Sequence, residues 1–180
     1  HTQRRRQRQM CIRDRSSLME IVDNVLGEKT FNNIVNYTCN NNDFPWNLVQ
    51  NGVSIPGDGK YQFIHEFKSE TGVISPYDYL LRNLYLRLGV NTLWRCKMNL
   101  KIKTKKTHVF YPFHQDFTTL PVPFTTVVFY LNTNNGYTLF EDGTKVDSVA
   151  NRMVMFNGNT KHTGASHTEG DRFRFVLNIN

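Results

Sequence analysis

The sequence predicts an α+β fold in a single domain, helices first and strands afterwards. Two observations carry this. Residues 16–38 and 76–88 place apolar side chains at helical spacing, whereas after Gly89 they fall in short runs rich in Val, Phe, Tyr and Leu. Those runs are separated by Asn135-Gly136, Asp142-Gly143 and Asn157-Gly158-Asn159, which are turn signals. Several short strands at such spacing suggest a β-sandwich or barrel.

Residues 16–38 read as one amphipathic helix or two short ones. Leu18, Ile21, Val22, Val25 and Leu26 stand at i, i+3, i+4, i+7 and i+8. Gly27 could end the first helix, with Phe31, Ile34 and Val35 marking the second. Residues 40–43 form a polar turn before Phe44-Pro45-Trp46, and 51–59 a loop with Gly and Pro. Residues 61–67 suit a strand. The clearest helix is 76–88, with Ser75 as N-cap, Pro76 at the first helical position and Gly89 as the stop. Tyr77, Leu80, Leu81, Leu84, Tyr85 and Leu88 form its apolar stripe. Strands are then expected at 93–103, 109–113, 124–131, 137–140, 152–156 and 172–179. The supporting helical part would span about 16–90 and the strand-rich core about 91–180.

Length and composition agree with one globular domain. The chain has 180 residues, 39% hydrophobic and 21% charged, which argues against wholesale disorder. No apolar run approaches the roughly 20 residues of a membrane-spanning helix, and none follows the basic start as a signal would require. A membrane is not an expected partner, and the expected compartment is the cytoplasm, the host's if the gene is a phage's. Cys11, Cys39 and Cys96 make neither a disulfide framework nor a zinc cluster.

The net charge of +7 misleads. Residues 5–14 read as the in-frame translation of a common transposon-based sequencing adapter, so 1–15 are expected to be a disordered artefact, set aside like a tag. Without them the balance is 16 basic against 14 acidic residues, or +2. Nucleic acid is then not indicated as a partner. One local run persists: Lys97, Lys101, Lys103 and Lys105 share strand parity, beside Lys106. It reads as a solvated edge strand protected by charge, against a functional reading as an attraction for an anionic substrate.

The chemistry lies in Phe113-His114-Gln115-Asp116-Phe117. In extended chain His114 and Asp116 point to one side, so an imidazole nitrogen and a carboxylate oxygen can reach one metal ion. His162, 46 residues after Asp116, is the candidate third ligand. Two histidines and one carboxylate on one face form the facial triad of non-haem Fe(II) oxygenases, with the opposite face open. A His-x-acid pair alone is weak evidence, and His167-Thr168-Glu169 is a second. Only His114 is followed by a later histidine and then a basic strand. There Arg172 and Arg174 alternate with Phe173 and Phe175 and share a face. A guanidinium there could grip a ligand carboxylate through two parallel hydrogen bonds.

This arrangement resembles the Fe(II)/2-oxoglutarate-dependent dioxygenases. Phe44-Pro-Trp46, Phe63-Ile-His-Glu-Phe67, Arg95-Cys-Lys-Met-Asn-Leu100, Val128-Phe-Tyr-Leu-Asn132 and Asn151-Arg-Met-Val-Met-Phe156 resemble a small oxygenase group common in phages and marine metagenomes. The Tyr-Leu-Asn segment and the distal histidine are also similar to prolyl hydroxylases. The resemblance covers most of 16–180. It implies a double-stranded β-helix, a jelly-roll core with supporting helices. It implies Fe(II) held by His114, Asp116 and His162, with 2-oxoglutarate and O2 as cosubstrates and ascorbate as reductant. The distal carboxylate of 2-oxoglutarate would pair with Arg172 or Arg174. Animal prolyl hydroxylases place a cosubstrate-binding tyrosine where Phe129 falls, and Tyr111 or Tyr130 would replace it here. Asp116 implies hydroxylation with release of succinate and CO2, since a small residue there would open a halide site. The substrate stays open among a protein side chain, a nucleobase, a lipid and a small molecule, as does the oligomeric state. The competing readings are a non-catalytic jelly-roll binding module and a phage structural or interaction protein.

Overall fold

A computed structural model describes residues 19–52, 57, 59–105, 107–120 and 122–180. The adapter-like segment 1–15 and Lys106 lie outside them. In chain order the described elements are β1 (Glu20–Val22), α1 (Glu28–Tyr37), β2 (Asn47–Gln50), β3 (Tyr61–Ser69), β4 (Gly72–Val73), a 3-10 turn (Asp78–Leu81), α2 (Arg82–Leu88), β5 (Cys96–Ile102), β6 (Thr125–Tyr130), β7 (Tyr137–Phe140), β8 (Lys145–Asp147), β9 (Arg152–Asn157), β10 (His162–Ala165) and β11 (Phe173–Ile179). Eight strands form one antiparallel sheet in the order β1-β9-β6-β11-β5-β3-β2, with β4 on β3. The other three form a smaller sheet, β10-β7-β8. This is the jelly-roll arrangement of a double-stranded β-helix, with the two sheets open rather than closed into a barrel.

Alternation along the strands of the large sheet builds two separate interiors. Cys96, Met98 and Leu100 of β5, Val127 and Phe129 of β6, and Phe175, Leu177 and Ile179 of β11 pack on the helical side. Phe31 and Ile34 of α1 and Leu84 of α2 complete that core, with the Phe31 ring edge-on to Phe129 at 6.0 Å. The other face of the same strands turns towards the small sheet. Val128, Tyr130, Val154, Phe156 and Val176 meet Phe140 and Val146 there. Both faces of the sheet are therefore covered, and the helices serve as its backing.

Several sequence expectations are corrected. Residues 20–22 form a strand, not a helix: Glu20, Ile21 and Val22 pair with Met155, Val154 and Met153. β-Branched Ile21 and Val22 suit an extended edge, and the apolar spacing that looked helical is met by strand and loop instead. Gly27 does not end a helix but opens α1, its carbonyl accepting the Phe31 amide at 3.0 Å. In 76–88 the first turn is 3-10 and only Arg82–Leu88 is α-helical. The Ser75 hydroxyl does accept the Tyr77 amide, and Gly89 does stop the helix, at φ 63°. Residues 109–113 are extended but not a continuous strand. Two isolated bridges, Phe110 to Ala165 and His114 to His162, tie them to β10. Pro112 has no N–H to donate between those bridges. The first half also supplies four strands as well as helices. Finally, β5 is no edge. It lies between β11 and β3, and its lysines do not line a solvated rim.

Candidate metal centre

His114 and His162 face one another because their backbones exchange two hydrogen bonds of 3.0 Å. The rings follow at 4.8 Å between centroids. Each Nδ1–H donates to the carbonyl two residues earlier, His114 to Pro112 at 3.0 Å and His162 to Thr160 at 3.1 Å. That repeated local bond fixes the tautomer and leaves each Nε2 with its lone pair outward. Both Nε2 atoms lie 3.7 Å from one oxygen, Oδ1 of Asp116. The three candidate ligand atoms all lie within 4.8 Å of one another.

Asp116 is held from behind. The Asn180 amide donates to Oδ2 at 2.8 Å and to the Thr126 hydroxyl at 3.0 Å. Only Oδ1 is left to face the histidines. The Asp116 side chain is 3% exposed, so its charge must be balanced locally. Burial by itself would raise its pKa. His162, Arg95, the Asn180 hydrogen bond and His114 outweigh that and hold the carboxyl below its ordinary range. Burial and the neighbouring His162 push His114 down, keeping its ring neutral and fit to bind a cation. The Arg95 guanidinium lies 3.9 Å from Asp116 Oδ1 and stacks over the Phe117 ring at 4.5 Å.

The triad opens into a polar cavity of about 260 Å³ between the two sheets. At its far end Arg174 of β11 stands in register with Lys101 of β5. Arg174 is 2% exposed; its Nε donates to Ser148 at 2.8 Å, while its Nη2 has no partner. Gly136 and Gly164 make room for it: a Cβ at Gly136 would fall 2.7 Å from the Arg174 side chain, and one at Gly164 2.9 Å from Lys101 Nζ. Buried Asn99 Oδ1 and Gln62 Oε1 are likewise unpartnered on the wall. Unpaired buried donors and acceptors in one cavity are what a polar ligand would satisfy. A dicarboxylate reaching from the triad to Arg174 fits this set. The N2O donor trio fits a first-row divalent metal with open positions.

The sequence-derived residues separate here. His114, Asp116, His162 and Arg174 line one cavity, and Arg172 is exposed outside β11. The Tyr130 hydroxyl does not enter the cavity. It donates to Thr138 Oγ1 at 2.7 Å, and its ring lies 5.7 Å from the Arg174 guanidinium. Phe129 faces the helical core, and the Tyr111 ring lies under the Lys101 ammonium at 3.7 Å. Sequence reasoning missed Asn180 and Gly164, and it weighed Lys97 and Lys101 as a solvated edge against an attraction for an anion without placing them in the cavity. The one available signal for the lysines was their parity, opposite apolar Cys96, Met98 and Leu100.

Fold and site together define a double-stranded β-helix protein with a two-histidine, one-carboxylate centre. Its structure is similar to an oxidoreductase of the 2OG-Fe(II) oxygenase family from Burkholderia pseudomallei, with TM-score 0.66 and 14% identity over 89% of this chain and 83% of that one. A prolyl hydroxylase from Trichoplax adhaerens, in complex with a hypoxia inducible factor peptide fragment, gives TM-score 0.67 at 13% identity over 89% and 81%. The viral collagen prolyl hydroxylase of Paramecium Bursaria Chlorella virus-1 gives 0.59 at 13% over 89% and 93%. No family model and no curated protein matches the sequence. At such identities the likeness concerns the fold, and function must be argued from the site.

Proposed function

We propose that this protein is an Fe(II)- and 2-oxoglutarate-dependent dioxygenase that hydroxylates a substrate with release of succinate and CO2. The observation that carries the reading is the convergence of His114, Asp116 and His162 in the same cavity as a buried arginine with a free Nη2. When bound, the iron and its cosubstrates supply the oxidising power for attack on a C–H bond.

The chain's own residues bind and orient. His114, Asp116 and His162 take one side of the metal and leave the other open. Asn180 keeps Asp116 to one ligating oxygen. Arg174 takes the distal carboxylate of 2-oxoglutarate, and Ser148 and Tyr130 hold Arg174 in place, Tyr130 as a positioning residue. Phe140 and Phe156 pack against the His162 ring and keep bulk water from that side.

The test is succinate formation from 2-oxoglutarate by the full chain with Fe(II) and ascorbate, beside His114→Ala and His162→Ala. Succinate from wild type, lost in both variants, is expected. A folded protein that gives neither succinate nor the visible charge-transfer band of Fe(II) with 2-oxoglutarate would refute the oxygenase reading.

A further inference from the structure

The cavity holds more positive charge than metal and cosubstrate need. Arg95, Lys97, Lys101 and Arg174 line it, against the single carboxylate of Asp116. A divalent metal and a doubly negative 2-oxoglutarate cancel one another, so the excess survives in the loaded site. Uncompensated charge in a half-buried cavity is costly until a counter-ion arrives.

Three of the four cations have partners. Arg174 bonds Ser148 and faces the cosubstrate; Arg95 lies against Asp116, Asn180 and Phe117. The Lys101 ammonium rests on the Tyr111 ring. Lys97 is different. Its register partners are Asn178 on β11 and Glu66 on β3. Among the described residues no carboxylate, Glu66 included, comes within ion-pair distance of its Nζ. Two residues earlier along the strand, about 7 Å, Arg95 exchanges backbone hydrogen bonds with Asn180, which tethers Asp116. Lys97 thus stands beside the metal end of the cavity, away from the Arg174 end.

We propose that the substrate is an anion, and that Lys97 binds its carboxylate or phosphate group while the metal centre acts on a neighbouring carbon. This rests on the reading of the cavity as a cosubstrate-binding oxygenase site. Burial, with Arg95 beside it, holds the Lys97 ammonium down to about 8, and a bound anion would reverse that. Such a ligand would also explain why β5 turns lysines inward between two strands, where a solvated strand would turn them out.

The experiment uses the full chain loaded with Mn(II), which cannot turn over. The affinity for 2-oxoglutarate is measured first, and its absence would defeat the oxygenase reading without touching the next step. Benzoate, phenyl phosphate and the neutral benzamide are then titrated by calorimetry, with and without 2-oxoglutarate. Wild type should prefer the anions at least tenfold over benzamide. That preference should vanish in Lys97→Gln and persist in Lys97→Arg, with folding of each variant checked by thermal melting. Tighter binding of phenyl phosphate indicates a phosphate-bearing substrate, and tighter binding of benzoate a carboxylic acid. Equal binding of benzoate and benzamide by wild type, or a preference that survives in Lys97→Gln, would overturn the proposal.

Discussion

Asn180 and Asp116, 64 residues apart, are joined by a hydrogen bond of 2.8 Å from the side-chain amide to Oδ2. The bond decides which carboxylate oxygen faces His114 and His162. Asn180→Ala should leave Asp116 free to rotate and its Oδ2 unsatisfied. Outer partners of metal ligands are worth about 10- to 100-fold in metal affinity. Titration of Mn(II) should show a loss of that order, together with a lower melting temperature from the buried bonds to Asp116 and Thr126 that are lost. An unchanged affinity would mean that burial alone fixes Asp116.

Arg174 and Arg172 should separate cleanly. Arg174→Gln removes a charge-assisted pair from a buried position, a loss of about 3 kcal/mol or roughly 100-fold in 2-oxoglutarate affinity. Arg172→Gln alters an exposed side chain and should shift it less than about twofold. Calorimetry with Mn(II) present reads both. Equal losses would mean that the cosubstrate reaches beyond the cavity.

The contrast between these arginines shows what the sequence could and could not tell. Turn signals and β-rich runs were sufficient for β6, β7, β9 and β11, because each is a short buried strand between strong breakers. The His114, Asp116 and His162 set was legible because its spacing and residue types carry the chemistry. β1 was not, because Ile21, Val22, Val25 and Leu26 satisfy a helical and an extended pattern equally until a partner strand decides. β5 misled for a related reason. Alternation says that Lys97 and Lys101 oppose Cys96 and Met98, but it is blind to whether the polar side meets solvent or a cavity. The position of β5 between β11 and β3 settles that, and strand order is not written in local periodicity.

The link between the β1–α1 connection and the turn before β9 can be tested at Asn151. It sits at φ 65°, in the left-handed region that asparagine tolerates better than alanine. Its side chain accepts the Leu26 amide at 3.0 Å and donates to the Leu26 carbonyl at 2.7 Å, in the manner of a strand neighbour. Asn151→Ala loses both bonds and adds backbone strain, about 2–3 kcal/mol in total. Asn151→Gly loses the bonds without the strain and should fall between alanine and wild type. Urea denaturation would read the order, and wild-type stability for Asn151→Ala would refute it.

Lys97 gives a pH dependence with a definite sign. Burial first, and Arg95 next, lower it from the ordinary 10.5 to about 8, against Asp116 and Glu66, which act in the opposite direction. Between those values the folded chain binds fewer protons than the unfolded chain, so stability rises with pH. The cost of the buried ammonium is complete below about pH 8 and relieved as pH climbs towards 10.5. Lys97→Met removes the cost. At pH 7 the variant should be more stable than wild type by about 2 kcal/mol, less than the full gap implies because the side chain remains partly hydrated. Towards pH 10.5 the difference should shrink to nothing. A bound anion narrows the same gap by stabilising the ammonium, so benzoate should raise the wild-type melting temperature at pH 7 more than that of Lys97→Met. A variant less stable than wild type at pH 7 would show that the Lys97 stem packs more than its charge costs.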